Sequence, residues 1–237
     1  MTSARVVLLH AFPLDCRMWA DVRRPLEEAA VAVSAPDLPG PEAEGSLASW
    51  AEHVLHAVAG PMVPVGASMG GYLVFELLRR APDRIAGIGL VGTRAGAETQ
   101  ESRAGRDETI ELLRDDGAQA LWETLGPRLF APGADPEVVA RAREIALEQG
   151  PLRLVAALEA IRDRDDSTSL LSEVRVPAVV VVGEDDQVIP PAEGAAIARA
   201  LPRARLVRVP GAGHLVALEH PERVAQAVLD LLEAVAT

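Results

Sequence analysis

Lysine and asparagine are both absent from this 237-residue chain, and all 23 of its basic residues are arginine. Without lysine there is no Schiff base, no Walker-type phosphate loop, no Ser-Lys dyad and no Tyr-x-x-x-Lys reductase pair. Without asparagine there is no N-glycosylation acceptor, and no side-chain amide of that type for an oxyanion hole or a Cys-His-Asn triad. Cysteine occurs once, at Cys16, so no internal disulfide forms and nothing points to secretion. Long apolar runs are missing too. The first, over 6–9, has four residues, too few for a signal-peptide core or a membrane span. Basic charge is the scarcer sign: 35 acidic residues against 23 arginines leave a net charge of −12. Nucleic acids and anionic membranes require a basic patch, so neither is expected as a partner. The small arginine groups (Arg23-Arg24, Arg79-Arg80, Arg203 with Arg205) lie in an acidic background and read as solvated faces. The expectation is a cytoplasmic protein, monomer or homodimer, whose partner is a small molecule.

What is present is ordinary globular material, 49% hydrophobic and 24% charged, in a length that suits one large domain. Short runs rich in valine, isoleucine and leucine recur at 6–9, 31–35, 62–65, 85–91, 178–182 and 206–209. None alternates polar with apolar, which predicts strands buried on both faces of a parallel sheet. Amphipathic stretches of helical length separate them, at 18–30, 47–59, 68–80, 192–200 and 221–235. Alternating strand and helix predicts a doubly wound α/β sheet. The rhythm breaks over 97–169, where four helical patterns (103–115, 118–130, 136–149, 152–164) follow one another without a strand. That block is expected to be a helical cap over the carboxyl ends of the strands, with 1–96 and 170–237 forming the core.

The chemistry gathers at four places. Gly66-Ala67-Ser68-Met69-Gly70 follows a strand directly and opens a helix, the context that makes a Gly-x-Ser-x-Gly pattern a nucleophile turn. The plainer alternative is a glycine-rich helix cap in which Ser68 binds a backbone amide. A serine nucleophile needs a base, and the base needs an orienting carboxylate. Among five histidines, His214 lies in Gly211-Ala212-Gly213-His214 just after the last strand, while His53 and His56 have no third ligand for a metal. The fifth strand ends in Gly183-Glu184-Asp185-Asp186, and adjacent acids at a strand end call for a partner such as a histidine ring. The order Ser, Asp, His differs from that of chymotrypsin and subtilisin. After the first strand, the loop His10-Ala11-Phe12-Pro13 is placed to present the Phe12 amide beside that of Met69, a backbone oxyanion hole. Cys16 has no base nearby in sequence and reads as an inert thiol. Gly211-x-Gly213 fails as a dinucleotide fingerprint because its sixth position is Val216.

Taken in order and spacing, the His-Ala-Phe loop, the Ser68 turn, the Gly-Glu-Asp-Asp-x-Val-x-Pro segment and the Gly-x-Gly-His segment resemble the α/β-hydrolase superfamily along essentially the whole chain. The small capped esterases and enol-lactonases look most similar, sharing an Asp-x-x-Met-Trp stretch at Asp15 to Trp19 and an Arg-x-Asp-Ser-Thr-x-Leu-Leu stretch at Arg164 to Leu171. The resemblance implies Ser68 as nucleophile, His214 as base, and Asp186 rather than Asp185 as the acid. It implies neither metal nor organic cofactor. Two departures stand out: Ala11 occupies a position usually held by glycine, and no residues correspond to the family's opening β-hairpin. The expected sheet therefore has six parallel strands in the order 2-1-3-4-5-6. The expected reaction is hydrolysis of a small carboxylic ester through an acyl-serine. The same triad also serves lactonases, C–C bond hydrolases, thioesterases and cofactor-free perhydrolases, and a non-catalytic binding protein is the remaining alternative. Trp122 and Phe130 are expected to line a mostly apolar pocket. The sequence leaves open which way Arg153 and Arg128 face, and an inward arginine would favour an acidic ester or lactone.

Overall fold

The computed structural model describes residues 4–38 and 45–237. Strand β1 (Arg5–Leu9) leads through a 3-10 turn into α1 (Ala20–Glu28) and β2 (Val33–Ser34). Helix α2 (Leu47–Ala57), β3 (Met62–Ala67), α3 (Met69–Arg80) and β4 (Ile88–Val91) complete the first half. Three helices follow without a strand: α4 (Gln100–Leu125), α5 (Pro136–Leu147) and α6 (Pro151–Arg162). The chain then returns to the sheet with β5 (Ala178–Gly183), α7 (Pro191–Ala200), β6 (Ala204–Val209), the single-turn α8 (Val216–Glu219) and α9 (Pro221–Ala236). The six strands lie in the order β2-β1-β3-β4-β5-β6, and every pairing is parallel.

Alternation along each strand divides the core. Val6 and Leu8 of β1, with Val179 and Val181 of β5, pack towards α1 and α9, where they join Met18, Val22 and Val224. Val7 and Leu9, with Val180 and Val182, point the other way and join Trp50 of α2 and Leu73 of α3. Both faces are covered, so β3, β4 and β5 are buried at every position. The edges differ from expectation. Strand β2 has only two residues, both half-buried, and β6 leaves Arg205 and Arg208 exposed. An edge strand has one neighbour and partial helical cover, and exposed arginines discourage a further strand from adding there. Strand β4 is also shorter than its apolar run, because the turn at Pro82–Arg84 delivers Ile85 to a single bridge with Met62 before regular pairing starts.

The block between β4 and β5 holds the helices α4, α5 and α6. Gly117, at φ 76°, breaks α4 in two, so its halves match the two separate patterns in the sequence. These helices share both core clusters. Ile110, Leu113 and Leu158 join the α2–α3 side, while Trp122, Phe130 and Ile145 join the α1–α9 side. An ionic latch closes the base of the block. Arg164, just past α6, donates to Glu98, just before α4, at 2.6 Å, with both side chains almost fully buried. Its guanidinium also bonds the carbonyls of Gly96 and Ile161 and lies 4.3 Å over the ring of Tyr72 in α3.

Candidate active site

Ser68 stands at the junction of β3 and α3 with φ 49° and ψ −109°, a conformation unfavourable for a residue with a side chain. The neighbouring glycines make the turn possible. A Cβ on Gly66 would lie 2.2 Å from the carbonyl carbon of Gly70, and one on Gly70 would lie 2.1 Å from the carbonyl oxygen of Leu9. Backbone bonds hold the strain in place: the Ser68 N–H donates to Val91 O at 2.9 Å, and its carbonyl accepts from Gly71 N and Thr93 Oγ1. The result is a rigid turn that holds Ser68 at the carboxyl edge of the sheet.

His214 arrives from the loop between β6 and α8. Its Nε2 lies 2.9 Å from Ser68 Oγ, and its Nδ1 lies 2.8 Å from Asp186 Oδ2. A carboxylate only accepts, so Nδ1–H donates to Asp186 and Nε2 is left to accept the Ser68 proton. Asp186 is itself fixed, since its Oδ1 accepts from the amides of Val188 (2.8 Å) and Ile189 (2.9 Å). Asp186 and His214 are buried, while Asp185 next door is exposed. Sequence reasoning missed a further member. Glu219, at the end of α8, accepts from Gly213 N at 2.9 Å and from Ala131 N at 2.8 Å, joining the His214 loop to the helical block. Burial raises its carboxyl above the ordinary range, although both amide bonds oppose that. The only clue in the sequence is a glutamate five residues past the histidine.

The loop after β1 forms the opposite wall. Buried His10 braces it: Nε2 accepts from Leu38 N at 3.0 Å, so Nδ1–H donates to Ala11 O at 3.1 Å. Burial pushes its pKa down to about 4, more than the Ala11 bond raises it, so the ring is neutral. Neither the Phe12 amide nor the Met69 amide has a hydrogen-bond partner among the described residues. Met69 is the first residue of α3, where a helix leaves its N–H groups unpaired and its dipole positive.

A small cavity of about 10 Å³, room for about one water, lies against these two residues. Its walls include His10, Phe12, Leu38, Trp50 and Met69 from the sheet side, and Gln149, Arg153, Leu154 and Ala157 from the helical block. Trp122 and Phe130 are not among its walls. Their rings, 6.4 Å apart, pack into the α1–α9 core instead. Of the two arginines in question, Arg153 lines the cavity, and Arg128 reaches outward to Gln187 O. The remaining candidates lie elsewhere. His56 bonds Glu52 O in its own helix, and His220 precedes α9. The Cys16 thiol is raised to about 11 by burial and by Asp37, which leaves it unreactive. Asp15, Cys16 and Asp37 lie close enough to share an ion, but Asp15 is taken up by Arg17 and Gln149.

Known proteins share this arrangement of elements. The model of the alpha/beta hydrolase family matches residues 6–227. The pimeloyl-[acyl-carrier protein] methyl ester esterase of Aromatoleum aromaticum is 32% identical over 250 residues, covering 98% of this chain and 99% of that protein. A malate-bound structure of a thermophilic esterase from Thermogutta terrifontis superposes with a TM-score of 0.91 at 35% identity, covering 100% of this chain and 92% of that one. The enol-lactonase of Burkholderia xenovorans gives a TM-score of 0.84 at 26% identity, covering 98% and 92%. The chain belongs to the alpha/beta hydrolase family.

Proposed function

We propose that this hydrolase cleaves a small carboxylic ester through an acyl-serine intermediate, with Ser68 as nucleophile, His214 as general base and acid, and Asp186 as its orienting carboxylate. The observation that carries the reading is the unbroken run of Ser68 Oγ, His214 and Asp186 at 2.9 and 2.8 Å on a strained, glycine-flanked turn. His214 Nε2 takes the hydroxyl proton as Oγ attacks the ester carbonyl, and then gives it to the departing alkoxide. Asp186 holds the tautomer that makes this possible and stabilises the imidazolium. The oxyanion faces the amides of Phe12 and Met69, and one such donor is worth about a hundredfold or more in rate. Water then enters, His214 takes its proton, and the acid leaves Ser68.

The esterase reading draws further support from the methyl ester esterase and the thermophilic esterase, each alike in more than three residues of ten and matched over nearly its whole length. The helical block over 97–169 acts as the cap that selects the substrate. The chain's own residues complete the proposed chemistry, and we place the enzyme in the cytoplasm. The test is turnover of p-nitrophenyl butanoate by Ser68→Ala. The variant is expected to melt as the parent does and to lose activity by about a millionfold, to the assay floor. Parental activity in that variant would remove Ser68 from the mechanism.

A further inference from the structure

The cavity beside Phe12 and Met69 is lined mostly by apolar side chains, with His10, Gln149 and Arg153 as its polar ones. Trp50 is 1% exposed, and its indole N–H has no hydrogen-bond partner among the described residues. A buried N–H of this kind is costly unless something accepts from it. Arg153, entering from α6, makes one hydrogen bond among the described residues, to the carbonyl of Leu38 at 3.1 Å. Among the described residues its nearest carboxylate is Asp37, a long ion pair at 3.9 Å whose oxygen is already an acceptor for Cys16 N. A guanidinium carries five N–H donors in a planar fork, so among the described residues most of its capacity is open. Among the described residues, no aspartate or glutamate lines the cavity. Elsewhere in this chain, which carries a net charge of −12, the buried Arg164 is matched by an acid, Glu98.

We infer that Arg153 and Trp50 form an acceptor subsite for a second, anionic group of the substrate, so that the preferred ester also carries a carboxylate. This rests on the reading of Ser68, His214 and Asp186 as the reacting triad. Phe12 and Met69 border the same cavity. It has room for about one water as it stands, so a short ester reaches both the oxyanion amides and the guanidinium only as Arg153 leaves Leu38 O and the α6 side chains beside it draw back. The carboxylate exchanges Leu38 O for itself on Arg153, forming a charge-assisted pair, and its second oxygen or the ester itself accepts from Trp50. Leu154 and Ala157 supply apolar contact for the few methylenes between. A half-ester of a short dicarboxylic acid places its charge on the acyl side. An ester of a hydroxy acid places it on the alcohol side. Both present the same chemistry to Arg153.

The full chain is assayed by proton release on monoethyl glutarate, on O-butanoyl lactate and on neutral ethyl butanoate. The parent is expected to favour at least one carboxylated ester over ethyl butanoate in kcat/KM. Arg153→Gln is expected to lower that preference about tenfold or more, chiefly through KM, and Trp50→Phe by about threefold. The exposed Arg199→Gln controls for general charge and keeps the preference. The arm that responds identifies the side bearing the carboxylate. A preference unmoved by Arg153→Gln in both arms overturns the subsite, as does a parent that favours the neutral ester. Failure to hydrolyse any of the three would count against the triad reading instead. Calorimetry with glutarate on Ser68→Ala then decides the subsite without turnover: binding that weakens about tenfold when Arg153→Gln is added supports it, and no binding refutes it.

Discussion

At the scale of single residues, the choice between two adjacent aspartates shows how burial decides chemistry. Asp185 faces solvent and contributes its amide to Ala212 O, while Asp186 turns inward with three hydrogen bonds converging on its carboxylate. Replacing Asp186 by Asn keeps the shape but offers the ring an amide, which favours the wrong tautomer. Asp186→Asn is therefore expected to lower kcat by about a thousandfold or more. Asp185→Asn is expected to stay near the parent, and equal losses in the two variants would undo the assignment. Both aspartates were visible in the sequence as one acidic strand end, and only the resemblance to a family separated them. Ser68 and His214 were legible because each carries a backbone requirement, glycines on both sides or a glycine loop at a strand end. Trp50 was not, since a tryptophan on the inner face of an amphipathic helix looks the same whether it fills core or borders a cavity. For that same reason the sequence does not show that Trp122 and Phe130, expected at a pocket, stand apart from the cavity beside Met69.

Among the elements, the helical block depends on what closes its two ends. Glu98 and Arg164 lie 66 positions apart in sequence, and their pair ties both ends to α3 through Tyr72. The Arg164 bond holds the Glu98 carboxyl below its usual range, against burial acting in the other direction. Removing Arg164 leaves the buried Glu98, among the described residues, with only the longer ion pair to Arg106 at 3.4 Å, so Arg164→Met is expected to cost about 3 kcal/mol in urea unfolding. Adding Glu98→Leu to that variant is expected to recover a good part of the loss, and an additive or larger loss would show that the latch acts otherwise. Long elements with a sustained period were readable in advance, including the split of α4 at Gly117. Short ones were not. Strand β2 has two residues and α8 four, too few to show a period, and the extent of β2 is set by pairing with β1 rather than by its own side chains.

Across the whole molecule, the doubly wound sheet was legible because runs buried on both faces alternate with amphipathic helices, and the two edges, half-buried β2 and the exposed arginines of β6, departed from that pattern. One histidine couples the fold to pH. His10 titrates near 6.5 in the unfolded chain and at about 4 in the fold, so the unfolded state binds more protons between those values. Its stabilising effect is complete above pH 6.5 and is lost as pH falls towards 4, on the order of 3 kcal/mol over the full range. Glu219, raised by burial, acts with the opposite sign. Unfolding midpoints are thus expected to fall between pH 6.5 and 5, above the range of most carboxylates. His10→Gln, which still accepts from Leu38 N and donates to Ala11 O without titrating, is expected to flatten that slope, and an unchanged slope would place the effect on another group. The central claim is that one serine in this chain is activated. The direct measurement is the intact mass after treatment with a fluorophosphonate, followed by peptide mapping. A single adduct on Ser68, lost in His214→Ala, is the predicted result. An adduct elsewhere, or hydrolysis that persists with Ser68 unlabelled, would contradict it.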